Sequence, residues 1–141
     1  MQIEGGCLCG AVRYQSSNAP IRQTVCHCRD RQRSGGGAFH VGVWFPRSGF
    51  TITKGKLRKY ESNADSGRWV ARSFCPVCGS GVTIELELRP EHIAVKAGTL
   101  DDPSFVRPAF QIYARSSLPW ITIEGIQTFE TMAPPPEKST Q

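Results

Sequence analysis

All six cysteines of this 141-residue chain fall in close pairs: Cys7 with Cys9, Cys26 with Cys28, and Cys75 with Cys78. This pairing constrains the fold more than any other feature. Two thiolates one or two residues apart can face a single ion, and the chain between them must turn tightly. In Phe74-Cys75-Pro76-Val77-Cys78-Gly79 the spacing lets both sulfurs reach one ion at about 2.3 Å. Gly79 suits the turn after the second sulfur, where a side chain would crowd the backbone. Gly5-Gly6-Cys7-Leu8-Cys9-Gly10 offers the same glycine context with the rarer spacing of one. A tetrahedral ion needs four donors, so Cys7, Cys9, Cys75 and Cys78 are expected to form a structural zinc site. Such a site would tie the N-terminal turn to the middle of the chain. The competing reading is inert buried thiols, or a disulfide within either pair.

The middle pair has a different setting. Val25-Cys26-His27-Cys28-Arg29-Asp30-Arg31-Gln32-Arg33-Ser34 combines two thiols with a histidine and three arginines. Positive charge nearby favours thiolate, which is both a nucleophile and a metal ligand. A catalytic zinc commonly takes three protein ligands and an open fourth position. Cys26 and Cys28 supply two, and Asp30, His27, His40 and His92 are the candidates for a third. Each histidine is more readily explained as a structural or exposed residue than as a ligand.

A chain of this length fits one domain. Glycine and proline make up about 17% of it, above the average of roughly 12%, which favours turns and short strands over long helices. Strands are expected at Ala11 to Tyr14, Phe50 to Thr53, Leu57 to Glu61, Val82 to Leu88, His92 to Lys96, Phe110 to Ala114 and Trp120 to Glu124. Apolar and polar residues alternate in Val82-Thr83-Ile84-Glu85-Leu86-Glu87-Leu88, which predicts one buried face and one wet face. Gly55 marks a hairpin connection. The helical signal is confined to a short turn around Arg29 to Ser34, stopped by Gly35-Gly36-Gly37. The aromatics Phe39, Trp44 and Phe45 suit core packing better than a cleft lining. From Ala133 onward Pro134-Pro135-Pro136 and polar residues predict a disordered tail over 133–141, leaving 1–132 as the zinc-binding β domain.

The formal charge is +5. Zinc on four thiolates would lower it to about +3. The basic residues are scattered without a dense helical stripe, which argues against a nucleic-acid partner. Met1-Gln2-Ile3-Glu4 has neither a basic nor an apolar leader-like stretch, and no run reaches the roughly 18 apolar residues of a membrane span. The expected setting is the cytoplasm, where thiols stay reduced and close cysteine pairs more often hold metal than form disulfides.

Several of these segments, in register, resemble the glutathione-dependent formaldehyde-activating enzyme (GFA) family. They are Gly6-Cys7-Leu8-Cys9-Gly10-Ala11-Val12-Arg13-Tyr14, Cys26-His27-Cys28 and Phe74-Cys75-Pro76-Val77-Cys78-Gly79-Ser80. Downstream, Gly98-Thr99-Leu100-Asp101-Asp102-Pro103 and Pro119-Trp120 look like the family's later segments. The resemblance implies a mostly β, single-domain, zinc-tied β-tent of small antiparallel sheets. It implies structural zinc at Cys7, Cys9, Cys75 and Cys78, and a second, catalytic zinc at a three-cysteine motif. Cys26 and Cys28 match the first two positions of that motif, and Arg31 stands where the third cysteine should be. A guanidinium cannot ligate zinc and repels it.

The leading expectation is therefore a carbon–sulfur lyase with an altered catalytic zinc site, in which Cys26 and Cys28 are catalytic. It would act on glutathione or another thiol adduct of a small aldehyde such as formaldehyde. Arg31, Arg29 and Arg33 would attract the anionic thiol, although a solvated basic turn equally explains Arg29 and Arg33. One alternative is a non-catalytic protein with a single structural zinc, favoured by Arg31. The other is a thiol redox protein using Cys26 and Cys28.

Overall fold

The computed structural model describes residues 2–134. A three-stranded antiparallel sheet contains β1 (Ile3–Gly6), β2 (Arg13–Ser16) and β5 (Phe50–Lys54), in the order β1-β2-β5. The larger sheet comprises β3 (Arg22–Cys26), β4 (His40–Pro46), β6 (Arg58–Asn63), β7 (Trp69–Phe74), β8 (Gly81–Leu86), β9 (His92–Lys96), β10 (Phe110–Ile112) and β11 (Gln127–Thr128). Its order is β11-β10-β3-β4-β9-β8-β7-β6. Its ladders are antiparallel except where β10 runs parallel to β3 and to β11. One short helix, α1 (Arg29–Gly35), follows β3 and ends at Gly36, whose φ of 69° is the left-handed geometry glycine adopts freely.

The centre of the larger sheet is covered on both sides. Val43 and Phe45 of β4 join Val95, Ile93, Val12, Tyr14 and Leu100 in a cluster beneath the small sheet. The intervening Trp44 points the other way, into a second cluster with Val70, Ile84 and Ala94. The ladder between β7 and β8 slips at Phe74, which lies opposite Gly81 while Ser73 lies opposite Thr83. Val82 is the extra residue of this bulge, and it packs in the first cluster although Ile84 packs in the second.

The mostly β, single-domain expectation agrees with these sheets. His92–Lys96 matches its strand residue for residue, Phe50–Lys54 extends the expected strand by one residue, and α1 lies at the expected turn. The wet face expected for the β8 segment is only partly wet, because Thr83 is as buried as Val82 and Ile84. Trp120 to Glu124 forms no ladder, and Trp120 is 73% exposed. That segment lies between Pro119 and Gly125, whose φ is 83°, and pairing resumes only at β11. Phe45 is fully buried and Trp44 nearly so, as core packing requires. The tail expectation falls mainly on residues 135–141, outside the described residues.

Candidate metal centre and thiol cavity

The turn between β1 and β2 carries Cys7 and Cys9, and the turn between β7 and β8 carries Cys75 and Cys78. The two sheets thus meet at four sulfurs, all within 4.8 Å of one another. The turns are built alike. The Cys7 amide donates to the Val12 carbonyl at 3.1 Å, and the Cys75 amide to the Ser80 carbonyl at 2.9 Å. Gly10 and Gly79, each with φ of 80°, follow the second cysteine of each pair. Amides also point at sulfur, from Val12 to Cys7 at 3.3 Å and from Val77 to Cys75 at 3.4 Å. Ser80 joins the turns, its hydroxyl accepting from the Leu8 amide at 3.1 Å and lying 3.2 Å from Cys78 Sγ.

A tetrahedral ion with metal–sulfur bonds of about 2.3 Å has sulfur–sulfur edges of about 3.8 Å. Cys7 and Cys9 are 3.7 Å apart, and Cys9 and Cys75 are 3.8 Å apart. The four cysteines could therefore hold a metal ion with little rearrangement. Their proton affinities diverge. The Ser80 hydroxyl and amide hold Cys78 at about 5. The Ala11 amide stabilises the Cys9 thiolate, but burial and three neighbouring sulfurs outweigh it and push Cys9 up to about 11. Four sulfurs this close cannot all ionise without a cation among them.

The middle pair lies elsewhere, on the face of the larger sheet opposite the small sheet. Partners in register across the ladders project to one face, and one such row reads Arg22, Trp44, Ala94, Ile84, Arg72. At about 4.8 Å per ladder, its two arginines stand roughly 19 Å apart at the backbone. The next row contains Phe110, Thr24, Gly42 and Lys96, and the third contains Ile112, Cys26 and His40. Gly42 and Ala94 leave the middle of this floor low. Above it lies a cavity of about 340 Å³, walled by Cys26, Cys28, Arg31, Arg72 and Trp69 among others.

Cys26 is 4% exposed, and Cys28 caps the start of α1, where its sulfur accepts from the Arg31 amide at 3.4 Å. A hydrogen bond from Cys26, the Arg31 amide and the Arg31 guanidinium bring Cys28 down to about 6, against the opposing effect of burial. Cys26 moves upward, because it donates to Cys28 and is buried.

The sequence candidates for a third ligand have other partners or positions. His27 is fully buried, with Nε2 2.7 Å from Gln111 Oε1. His92 lies at the β9 end paired with Pro46, and Asp30 is exposed on α1. His40 Nδ1 lies 3.2 Å from Arg31 Nη1. Burial together with Arg31, Lys96 and Arg72 pushes His40 down to about 2, so it is neutral. Among the described residues, the four-cysteine cluster is the one group of three or more such side chains able to share an ion. Arg31 lines the cavity; Arg29, bonded to Gln32, and the exposed Arg33 do not.

Several cavity residues escaped the sequence reading. Arg22 stacks its guanidinium 4.9 Å from the centre of the Trp44 ring. Arg72 donates to Ser62, while its Nε has no partner among the described residues. Tyr113, which follows Ile112, lines the cavity with a left-handed φ of 55°. Non-glycine residues held in that conformation concentrate at functional sites. Alternation along β3 could have placed Arg22 and Thr24 beside Cys26, but Arg72 depends on long-range register. Among the described residues, no helix is long and apolar enough to cross a membrane.

A family model described as glutathione-dependent formaldehyde-activating enzyme (GFA) matches residues 2–116. The crystal structure of a Rhodobacter sphaeroides protein from a structural genomics programme is similar, with a TM-score of 0.56 at 23% identity, covering 74% of this chain and 91% of that one. At that identity the likeness establishes a common fold alone. No curated protein matches the chain. The matched span includes both cysteine turns and the middle pair, and the chain belongs to the glutathione-dependent formaldehyde-activating enzyme family.

Proposed function

We propose that this protein makes or breaks the carbon–sulfur bond of a thiol adduct of a small aldehyde, in the cavity at Cys26 and Cys28. Zinc at Cys7, Cys9, Cys75 and Cys78 has a structural role: it pins the two sheets together and takes no part in the chemistry. Glutathione and formaldehyde are the pair suggested by family membership, and the cytoplasm is the compartment that fits a reduced thiol substrate. The observation that carries the reading is a pair of cysteines, Cys26 and Cys28, in one cavity wall with five arginines that form no ion pair among the described residues.

The residues around Cys26 and Cys28 do not fit a three-ligand zinc site, because Arg31 brings a fixed cation to the third position. The reaction is therefore derived from the chain's own groups. The Cys28 thiolate accepts the proton of the substrate thiol. The resulting sulfur anion attacks the carbonyl carbon, forming the carbon–sulfur bond. The carbonyl oxygen becomes an alkoxide stabilised by the positive charge of the cavity wall, and takes the proton back from Cys28. Reversal of these steps breaks the bond. Exchange between free glutathione, formaldehyde and their adduct, followed by magnetization-transfer NMR, tests the reading. Wild type should accelerate exchange and Cys28→Ser should lose most of that acceleration; equal rates with and without protein would sink it.

One observation favours a second reading, a zinc-tied binding protein without turnover: no third metal ligand stands beside Cys26 and Cys28 among the described residues. Binding of the adduct without any exchange would select it.

A further inference from the structure

Positive charge is in excess on the cavity side of Cys28. Arg22, Arg31, Arg68, Arg72 and Arg89 all line the cavity. Among the described residues none of them forms an ion pair, and neither does Lys96. The lining acids are Asp30 and Asp65; Asp65 pairs with Arg115 outside the lining, at 3.9 Å. Burial and the nearby Arg31 guanidinium lower Arg72, with Asp30 only partly opposing them.

One buried donor of the lining, Arg72 Nε, has no acceptor among the described residues. Arg31 Nη1 donates to His40 Nδ1, on a ring that lines a different pocket together with Lys96. A buried donor left unpaired is costly, and more so beside a charge, so an orphaned guanidinium donor among guanidiniums without ion pairs marks a place for an anion. Guanidinium pairs suit a planar carboxylate, which accepts two parallel hydrogen bonds. The apolar lining from Trp44, Val70 and Leu86 suits an organic body attached to that carboxylate rather than a bare inorganic ion.

We propose that the cavity is a carboxylate-binding site in which Arg31 and Arg72 hold the charged group of a small organic acid beside Cys28. This inference extends the carbon–sulfur reading by naming the substrate class: an aldehyde that carries its own carboxylate, or the thiol adduct of one. The carboxylate brings the electrophilic carbon next to the sulfur. Bond formation then joins sulfur to that carbon, and the thiol proton ends on the former carbonyl oxygen.

The test separates binding from turnover. Acetate and acetamide have nearly the same shape and differ in charge, so each is titrated into the zinc-loaded protein while the Trp44 indole N–H is followed by NMR. Wild type and the charge-matched control Arg58→Gln, on the outer strand β6, should bind acetate saturably and acetamide at least tenfold more weakly. Arg31→Gln and Arg72→Gln should each weaken acetate at least tenfold while retaining one zinc per chain and a cooperative melt. Acetate binding unchanged in both variants, no saturable acetate binding, or equal binding of acetamide overturns the site. Intact acetate selectivity without any aldehyde–thiol exchange would leave the carboxylate site standing and remove the carbon–sulfur reading instead.

Discussion

Replacing Cys78 by serine tests the joint between the sheets. Structural zinc binds with an apparent free energy of about 10–16 kcal/mol, or about 3–4 kcal/mol for each of four thiolates. That share is a large part of the roughly 5–15 kcal/mol that keeps a domain folded. Cys78 also contacts the Ser80 hydroxyl, which accepts from the Leu8 amide of the other turn, so the substitution perturbs both turns together. For 141 residues the unfolding entropy is about 0.3 kcal/mol per kelvin near the midpoint. A loss of about 3 kcal/mol should therefore lower the melting temperature by about 10 °C. Ser80→Ala keeps four sulfurs and removes only the hydroxyl link, worth about 1 kcal/mol, or about 3 °C. Scanning calorimetry, with zinc measured by atomic emission on the same samples, reads both effects. A Cys78→Ser protein that melts within 2 °C of wild type and still holds one zinc would refute the four-thiolate joint.

Alkylation of Cys28 by iodoacetamide, followed by peptide mass spectrometry, should rise with pH about a midpoint near 6, because Cys26 and Arg31 favour its thiolate; a midpoint near 9 would contradict a lowered Cys28 thiol. Burial pushes Tyr14 up to about 12 from its ordinary value near 10, despite the hydrogen bond to Thr99. The neutral ring is therefore favoured in the fold, so its stability contribution is complete below pH 10 and is lost as pH rises towards 12. Denaturant titrations should show wild type losing about 3 kcal/mol more than Tyr14→Phe across that window, and parallel losses would refute the assignment. Arg31→Cys should raise zinc content from one to two ions per chain by completing a third thiolate beside Cys26 and Cys28; an unchanged single ion would show that these positions do not converge.

The four-thiolate cluster was readable in the sequence because each pair is local. A turn of two or three residues fixes how two sulfurs point, and glycines at 10 and 79 record the positive φ that follows. The strands were less legible where burial is two-sided. His40–Pro46 lacks the period of two because it lies mid-sheet, with Val43 and Phe45 in one cluster and Trp44 in the other. β1 ends in two glycines, poor strand formers in general. Gly5 is nonetheless required there, since a Cβ would overlap the Tyr14 hydroxyl and the Thr99 carbonyl. At the cavity, Cys26, Cys28 and Arg31 share one short segment and could be picked out together. Arg72 arrives through four ladders, and no local pattern reports a register set by that many pairings.

On the proposed reading, Arg31 does more than stand where a third metal ligand would. Three thiolates around a zinc ion would carry a net charge of about −1, and the neighbouring arginines would then be compensated by the metal site itself. With one thiolate at Cys28 and one guanidinium at Arg31, the local charge would be about zero, and Asp30 and Cys28 offset burial and Arg31 at Arg72 only in part. On the proposed reading, an arginine in place of a metal ligand thus leaves cationic hydrogen-bond donors for a substrate. A metal polarises a carbonyl whatever else the substrate bears, whereas guanidiniums reward a ligand that brings its own charge. On that reading, the arginine at position 31 sets which aldehyde the cavity favours: one that carries its own negative charge into a wall where arginines outnumber acids.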